Sequence, residues 1–96
     1  MQMSKPKIVP VTDVASHKTG RVVGLTKAQI DAILGFKPNV KDDPGKVKHS
    51  WGFNVQGNDC AVWDWKGSHK FNEYSAYGPD AVLRQVFGSN YVSGAY

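Results

Sequence analysis

The chain has 96 residues, 41% apolar and 21% charged, a balance suited to one small folded domain and unlike that of a disordered chain. Its one cysteine, Cys60, excludes an internal disulfide framework and any site built on several thiolates. No apolar run approaches the roughly 20 residues needed to span a bilayer, and the first seven residues lack the apolar core of a secretory signal, so the cytoplasm is the expected compartment.

The net charge of +4 is uneven, with nine Lys/Arg against four Asp in residues 1–50 and three Lys/Arg against four acids in residues 51–96. A basic half can serve nucleic acid, but these lysines are scattered, and only Arg21 and Arg84 offer a guanidinium. An ordinary solvated surface explains the pattern as well.

Residues 1–24 read as an N-terminal arm or edge strand. Pro6 and Pro10 bracket Lys7-Ile8-Val9, which can form only a short edge strand, because proline cannot donate to a ladder. Ser16–Gly20 reads as a loop, and Arg21-Val22-Val23 is short and apolar. The segment could order only on a partner. Residues 25–96 read as a single domain.

A helix is expected over 27–34. Thr26 and Gln29 make a capping box, Leu25 and Ile30 occupy the staple positions, and Ile30, Ile33 and Leu34 form a stripe ended by Gly35. Residues 37–46 form a polar linker with turn chemistry at Asp43-Pro44-Gly45. Asn39, Asp42 and Asp43 lack the alternating ligand spacing and distal Glu of a calcium loop.

Val47, His49, Trp51, Phe53 and Val55 alternate with polar or small residues, the pattern of a strand with one apolar face. Gly57-Asn58-Asp59 supplies turn residues, so residues 47–66 read as a hairpin. Phe71–Ala76 is a third strand. Gly78-Pro79-Asp80 opens a second helix over 79–87, with Val82, Leu83, Val86 and Phe87 as its buried stripe. Ser89–Tyr96 reads as a loop or frayed tail. Grouped strands flanked by helices predict an α+β fold, with a small antiparallel sheet of three or more strands packed against two short helices.

The hairpin register decides whether the chain has an aromatic surface. A two-residue Gly57-Asn58 loop pairs Val55 with Cys60 and turns Trp63 and Trp65 away from Trp51. A three-residue Gly57-Asn58-Asp59 loop pairs Phe53 with Trp63 and Trp51 with Trp65, placing all three indoles in the core. The first has the better turn chemistry. The second makes the cleaner amphipathic sheet and is the favoured reading, since most aromatic stripes are core. If the first holds, Trp63, Trp65, Lys66, His69 and Lys70 form an aromatic and basic binding patch.

Catalytic signals are weak. Cys60 and His49 fall near opposite ends of the hairpin in either register, and a buried structural thiol is the plainer reading of Cys60. His17, His49 and His69 lack metal-ligand spacing. Asp64 and Asp80 form no carboxylate pair. Trp65-Lys66-Gly67-Ser68 lacks the spaced glycine of a phosphate loop, and no cofactor motif is present.

The run Lys46-Val47-Lys48-His49-Ser50-Trp51-Gly52-Phe53, followed by Cys60–Ser68 and Tyr77-Gly78-Pro79, resembles small uncharacterised proteins encoded by bacteriophages, over residues 25–88. That resemblance implies an accessory protein in the cytoplasm of an infected bacterium that binds and inhibits or modulates a host or defence protein. The expected function is therefore non-catalytic protein binding. A nucleic-acid or nucleotide binder and a small hydrolase are the alternatives.

Overall fold

The computed structural model describes residues 6–12, 14, 18–40, 47, 49–65 and 67–93, with the side chains of Ser68 and His69 outside that description. Strands β1 (Ile8–Pro10) and β2 (Gly20–Val23) precede helix α1 (Lys27–Leu34), strands β3 (Ser50–Val55) and β4 (Asn58–Trp63), a 3₁₀ turn at Ser68–Phe71, strand β5 (Glu73–Tyr77), helix α2 (Asp80–Phe87), a second 3₁₀ turn at Ser89–Tyr91 and strand β6 (Val92–Ser93). The six strands form one antiparallel sheet in the order β1-β3-β4-β5-β2-β6. The α+β class holds.

Locally encoded elements fall where the residues place them. Thr26 Oγ1 accepts from the Gln29 N–H, the Gln29 side chain accepts from the Thr26 N–H, and the Gly35 N–H closes α1 on the Asp31 carbonyl. Such a cap stabilises a short helix by about 1 kcal/mol, which matters for eight residues that could not persist alone. In α2, Pro79 is the residue before the first turn rather than its first member, and Asp80 pairs with Arg84 at 2.7 Å.

Both helices pack on one sheet face. Ile30, Leu34, Leu83 and Phe87 join Trp51, Phe53, Val55, Cys60, Val62, Tyr74, Ala76, Val22 and Val92 in one core, with Phe53 and Phe87 edge to face. Each large apolar side chain removed from water here stabilises the fold by about 1.5–3 kcal/mol. A half-buried polar link also ties α1 to the sheet: the Trp51 indole donates to Asp31 at 2.9 Å, and Lys27 holds the other Asp31 oxygen at 2.8 Å.

Two stretches of the N-terminal segment, β1 and β2, join the sheet. β1 is an edge strand beside β3, while β2 lies between β5 and β6 with Val22 fully buried. Val92 and Ser93, expected in a frayed tail, pair with Val22 and Arg21. The third strand starts two residues later than expected, because residues 68–71 form the 3₁₀ turn.

The hairpin register matches neither expected loop. Val55 pairs with Asn58, Phe53 with Cys60, Trp51 with Val62 and Ser50 with Trp63, so the loop is Gln56-Gly57. Both loop residues have positive φ (52° and 88°), the type I′ geometry that follows the twist of a hairpin. A left-handed Gln costs roughly 1 kcal/mol, and local side-chain bonds offset it. Asn54 accepts from the Gly57 N–H and donates to Asp59, both at 2.9 Å, while Asn58 donates to the Val55 carbonyl at 3.1 Å. The favoured core placement of all three indoles is therefore corrected. Trp51 is fully buried with the helices, whereas Trp63 and Trp65 belong to the other side.

Candidate binding cleft

The sheet face away from the helices is built in rows. One row consists of Gly52 and Ala61, both buried, with Tyr77 beyond them. Val11 and Val40 lie against Gly52, where even a methyl group would strike the Val11 carbonyl. The next row runs across five strands as Ser50, Trp63, Ser75, Arg21 and Ser93. Small and large side chains alternate along it. Ser75, only 7% exposed, therefore lies low between the Trp63 ring and the Arg21 guanidinium chain.

Two hollows open there. One, of about 300 Å³, is lined by Lys18, Trp63, Trp65 and Ser75. The other, of about 200 Å³, is lined by Lys18, Arg21, Trp65, Glu73, Tyr74 and Ser75. They share Lys18, Trp65 and Ser75 and form one cleft with an aromatic wall and a cationic wall. Trp65 is 46% exposed, so part of its ring faces solvent at the cleft.

Of the expected patch, the structure brings Trp63 and Trp65 together at this cleft. Lys70 is exposed on the 3₁₀ turn and is not among the lining residues. Lys66 and the His69 side chain lie outside the described residues. Among the described residues, the cations that line the cleft are Lys18 and Arg21, both from the N-terminal segment. Their position depends on β2 pairing with β5 more than fifty residues away. The alternation of Arg21 with Val22 was a signal that Arg21 leaves the core, but nothing local said which strand it would meet.

The groups weighed for chemistry are held by neighbours within the hairpin. Cys60 is buried, its Sγ 3.6 Å from the Asn58 carbonyl, and burial followed by the Asp59 charge pushes its thiol up to about 11. Almost none of it is thiolate near neutral pH, so it is a poor nucleophile. His49 meets Asp64 instead. The fully buried Asp64 carboxylate accepts from the His49 backbone N–H at 2.9 Å and lies 2.8 Å from His49 Nδ1. The Asp64 N–H donates to the His49 carbonyl, so the pair extends the hairpin beyond its last ladder residues.

Among the described residues, no three His, Cys, Asp or Glu side chains gather where a metal could be held. No helix among them is long and apolar enough to cross a membrane. No protein-family model, curated protein or solved structure matches the chain.

Proposed function

We propose that the protein is a small non-catalytic binding domain whose partner is another protein, gripped through the cleft between Trp63 and Arg21. The observation that carries this reading is the five-strand row in which Ser75 lies between two large side chains, with Trp65 exposed beside it. Trp and Arg around a concave centre are the composition of a protein-binding hot spot. A hollow of about 300 Å³ accommodates a side chain or two of a partner. The high proton affinity of Cys60 supports binding over nucleophilic catalysis. The resemblance to bacteriophage accessory proteins suggests the partner class, a host or defence protein met in the bacterial cytoplasm, whose action the domain would inhibit or modulate.

Affinity capture from nuclease-treated bacterial lysate tests the proposal, comparing wild-type bait with Trp65→Ala and Trp63→Ala. A protein retained by the wild type and lost from both variants is expected, with little change as salt rises. Capture that survives both substitutions, or that vanishes with nuclease treatment, would overturn it. The second result would favour the nucleic-acid alternative, since phosphate binding weakens steeply with salt.

A further inference from the structure

Ser75 carries more information than its place in the row. It pairs with Trp63 on one side and Arg21 on the other, and it lines both hollows although only 7% of it is exposed. Its hydroxyl makes no hydrogen bond to any described residue. Among the described residues, the unpartnered polar side-chain atoms closed off from solvent are Arg21 Nε and the Tyr74 hydroxyl. The Ser75 oxygen is not one of them, so it is reached through the hollows it lines. A deeply set polar group left to solvent at the floor of a cleft is an anchor for an entering group.

The walls limit the shape of that group. Neighbouring strands lie about 4.8 Å apart, so about 10 Å separates the Trp63 and Arg21 backbones across Ser75. A flat ring in van der Waals contact on both sides takes up roughly 7–8 Å, which leaves room for one ring and not for two. An apolar cavity of about 150 Å³ suffices for benzene, and the larger hollow measures about 300 Å³. An indole and a guanidinium both stack on rings. The floor limits the polarity. Phenylalanine would strip water from the Ser75 hydroxyl and give nothing back, whereas a phenol brings a donor and an acceptor at the tip of the ring.

Resting on the protein-binding reading above, we propose that the cleft is a slot for a tyrosine side chain of the partner, its ring against Trp63 and its hydroxyl on Ser75 Oγ. The indole supplies contact area. Ser75 supplies the choice of tyrosine over phenylalanine, because a site that hydrogen-bonds a hydroxyl disfavours the analogue that lacks it.

The test uses pools of capped pentapeptides with tyrosine fixed at the centre, matched pools with phenylalanine there, and a short oligothymidylate. Binding is followed by the indole N–H resonances of Trp63 and Trp65. The tyrosine pool should shift the Trp63 indole and bind about fivefold more tightly than the phenylalanine pool. Ser75→Ala removes the hydroxyl without breaking a hydrogen bond to any described residue. It should bring the two pools to within about twofold of each other and leave the phenylalanine pool no weaker. Trp63→Leu should weaken both pools. The wild-type ratio needs no substitution, so it stands as a test even where a variant folds poorly. Equal binding of the two pools to the wild type, or a tyrosine preference that Ser75→Ala leaves intact, overturns the slot and leaves the peptide-binding reading standing. Shifts produced by oligothymidylate and by neither peptide pool overturn both, and indoles unmoved by any probe overturn the slot.

Discussion

The side-chain amide of Asn39 pairs with the backbone of Gly52 as a neighbouring strand would, accepting from the Gly52 N–H at 2.8 Å and donating to its carbonyl at 3.0 Å. The same Nδ2 reaches the Val11 carbonyl at 3.2 Å, and Val11 donates its own N–H to Gly52. β1 ends at Pro10, opposite Phe53, so the edge of β3 would otherwise leave the Gly52 donor unmatched. Asn39→Asp keeps the acceptor and loses the donor, whereas Asn39→Ala loses both. Chemical denaturation should show Asn39→Ala less stable by about 1–3 kcal/mol and Asn39→Asp destabilised as well. Gly52→Ala should cost more than either, because its methyl group would strike backbone rather than a movable side chain.

The hairpin turn carries an improvable residue. Gln56 holds a left-handed φ of 52° next to Gly57, where an Asn-Gly pair is the preferred type I′ sequence. Gln56→Asn should raise the denaturation midpoint, stabilising the fold by about 0.5–1 kcal/mol. An unchanged or lowered midpoint would argue against a Gln56-Gly57 loop.

Tyr74 is fully buried against Trp51, and its hydroxyl has no hydrogen-bond partner. Tyr74→Phe removes the orphan without opening a cavity, so it should be neutral or stabilising by up to about 1 kcal/mol near pH 7. Loss of stability there would mean that the hydroxyl has an acceptor.

Alkali should lower the stability of the fold over two overlapping pH ranges. Burial, then the nearby Asp64 and Asp31 charges, pushes the Tyr74 hydroxyl from 10.0 up to about 12. Cys60 rises from 9.0 to about 11. In each case the folded chain keeps a proton that the unfolded chain has released, so stability falls as pH rises. The contribution is complete below pH 9.0, and its loss runs to about pH 12. Stability measured against pH should show the lower part removed by Cys60→Ala and the upper part by Tyr74→Phe.

The same burial predicts an inert thiol. Cys60 should resist a disulfide reagent in native protein at neutral pH and react promptly in denaturant. Rapid native labelling would contradict the packing around Val62 and Gly78, where a Cβ on Gly78 would approach Sγ to 2.7 Å.

Residues close along the chain announced their own structure. Thr26 with Gln29 set the start of α1, Pro79 with Asp80 set the start of α2 to within one residue, and the alternation from Trp51 to Val55 marked the inward face of β3. Caps and periodic stripes act within a few residues, so the sequence displays them directly. The turn was harder to read. Moving the loop from Gly57-Asn58 to Gln56-Gly57 shifts the pairing by two residues and keeps Trp63 turned away from Trp51, while a three-residue loop would have buried it.

By itself, then, the chain determined two short helices, the first of them capped, an amphipathic hairpin and an α+β architecture, because those follow from spacing along one segment. Tertiary structure alone decided that Ser75 stands between Arg21 and Trp63, that Asn39 completes the edge of β3, and that Asp64 rather than Cys60 is the companion of His49. Each of these depends on strands or loops meeting across long loop closures. Local periodicity tells which way a side chain faces but not which strand will lie beside it.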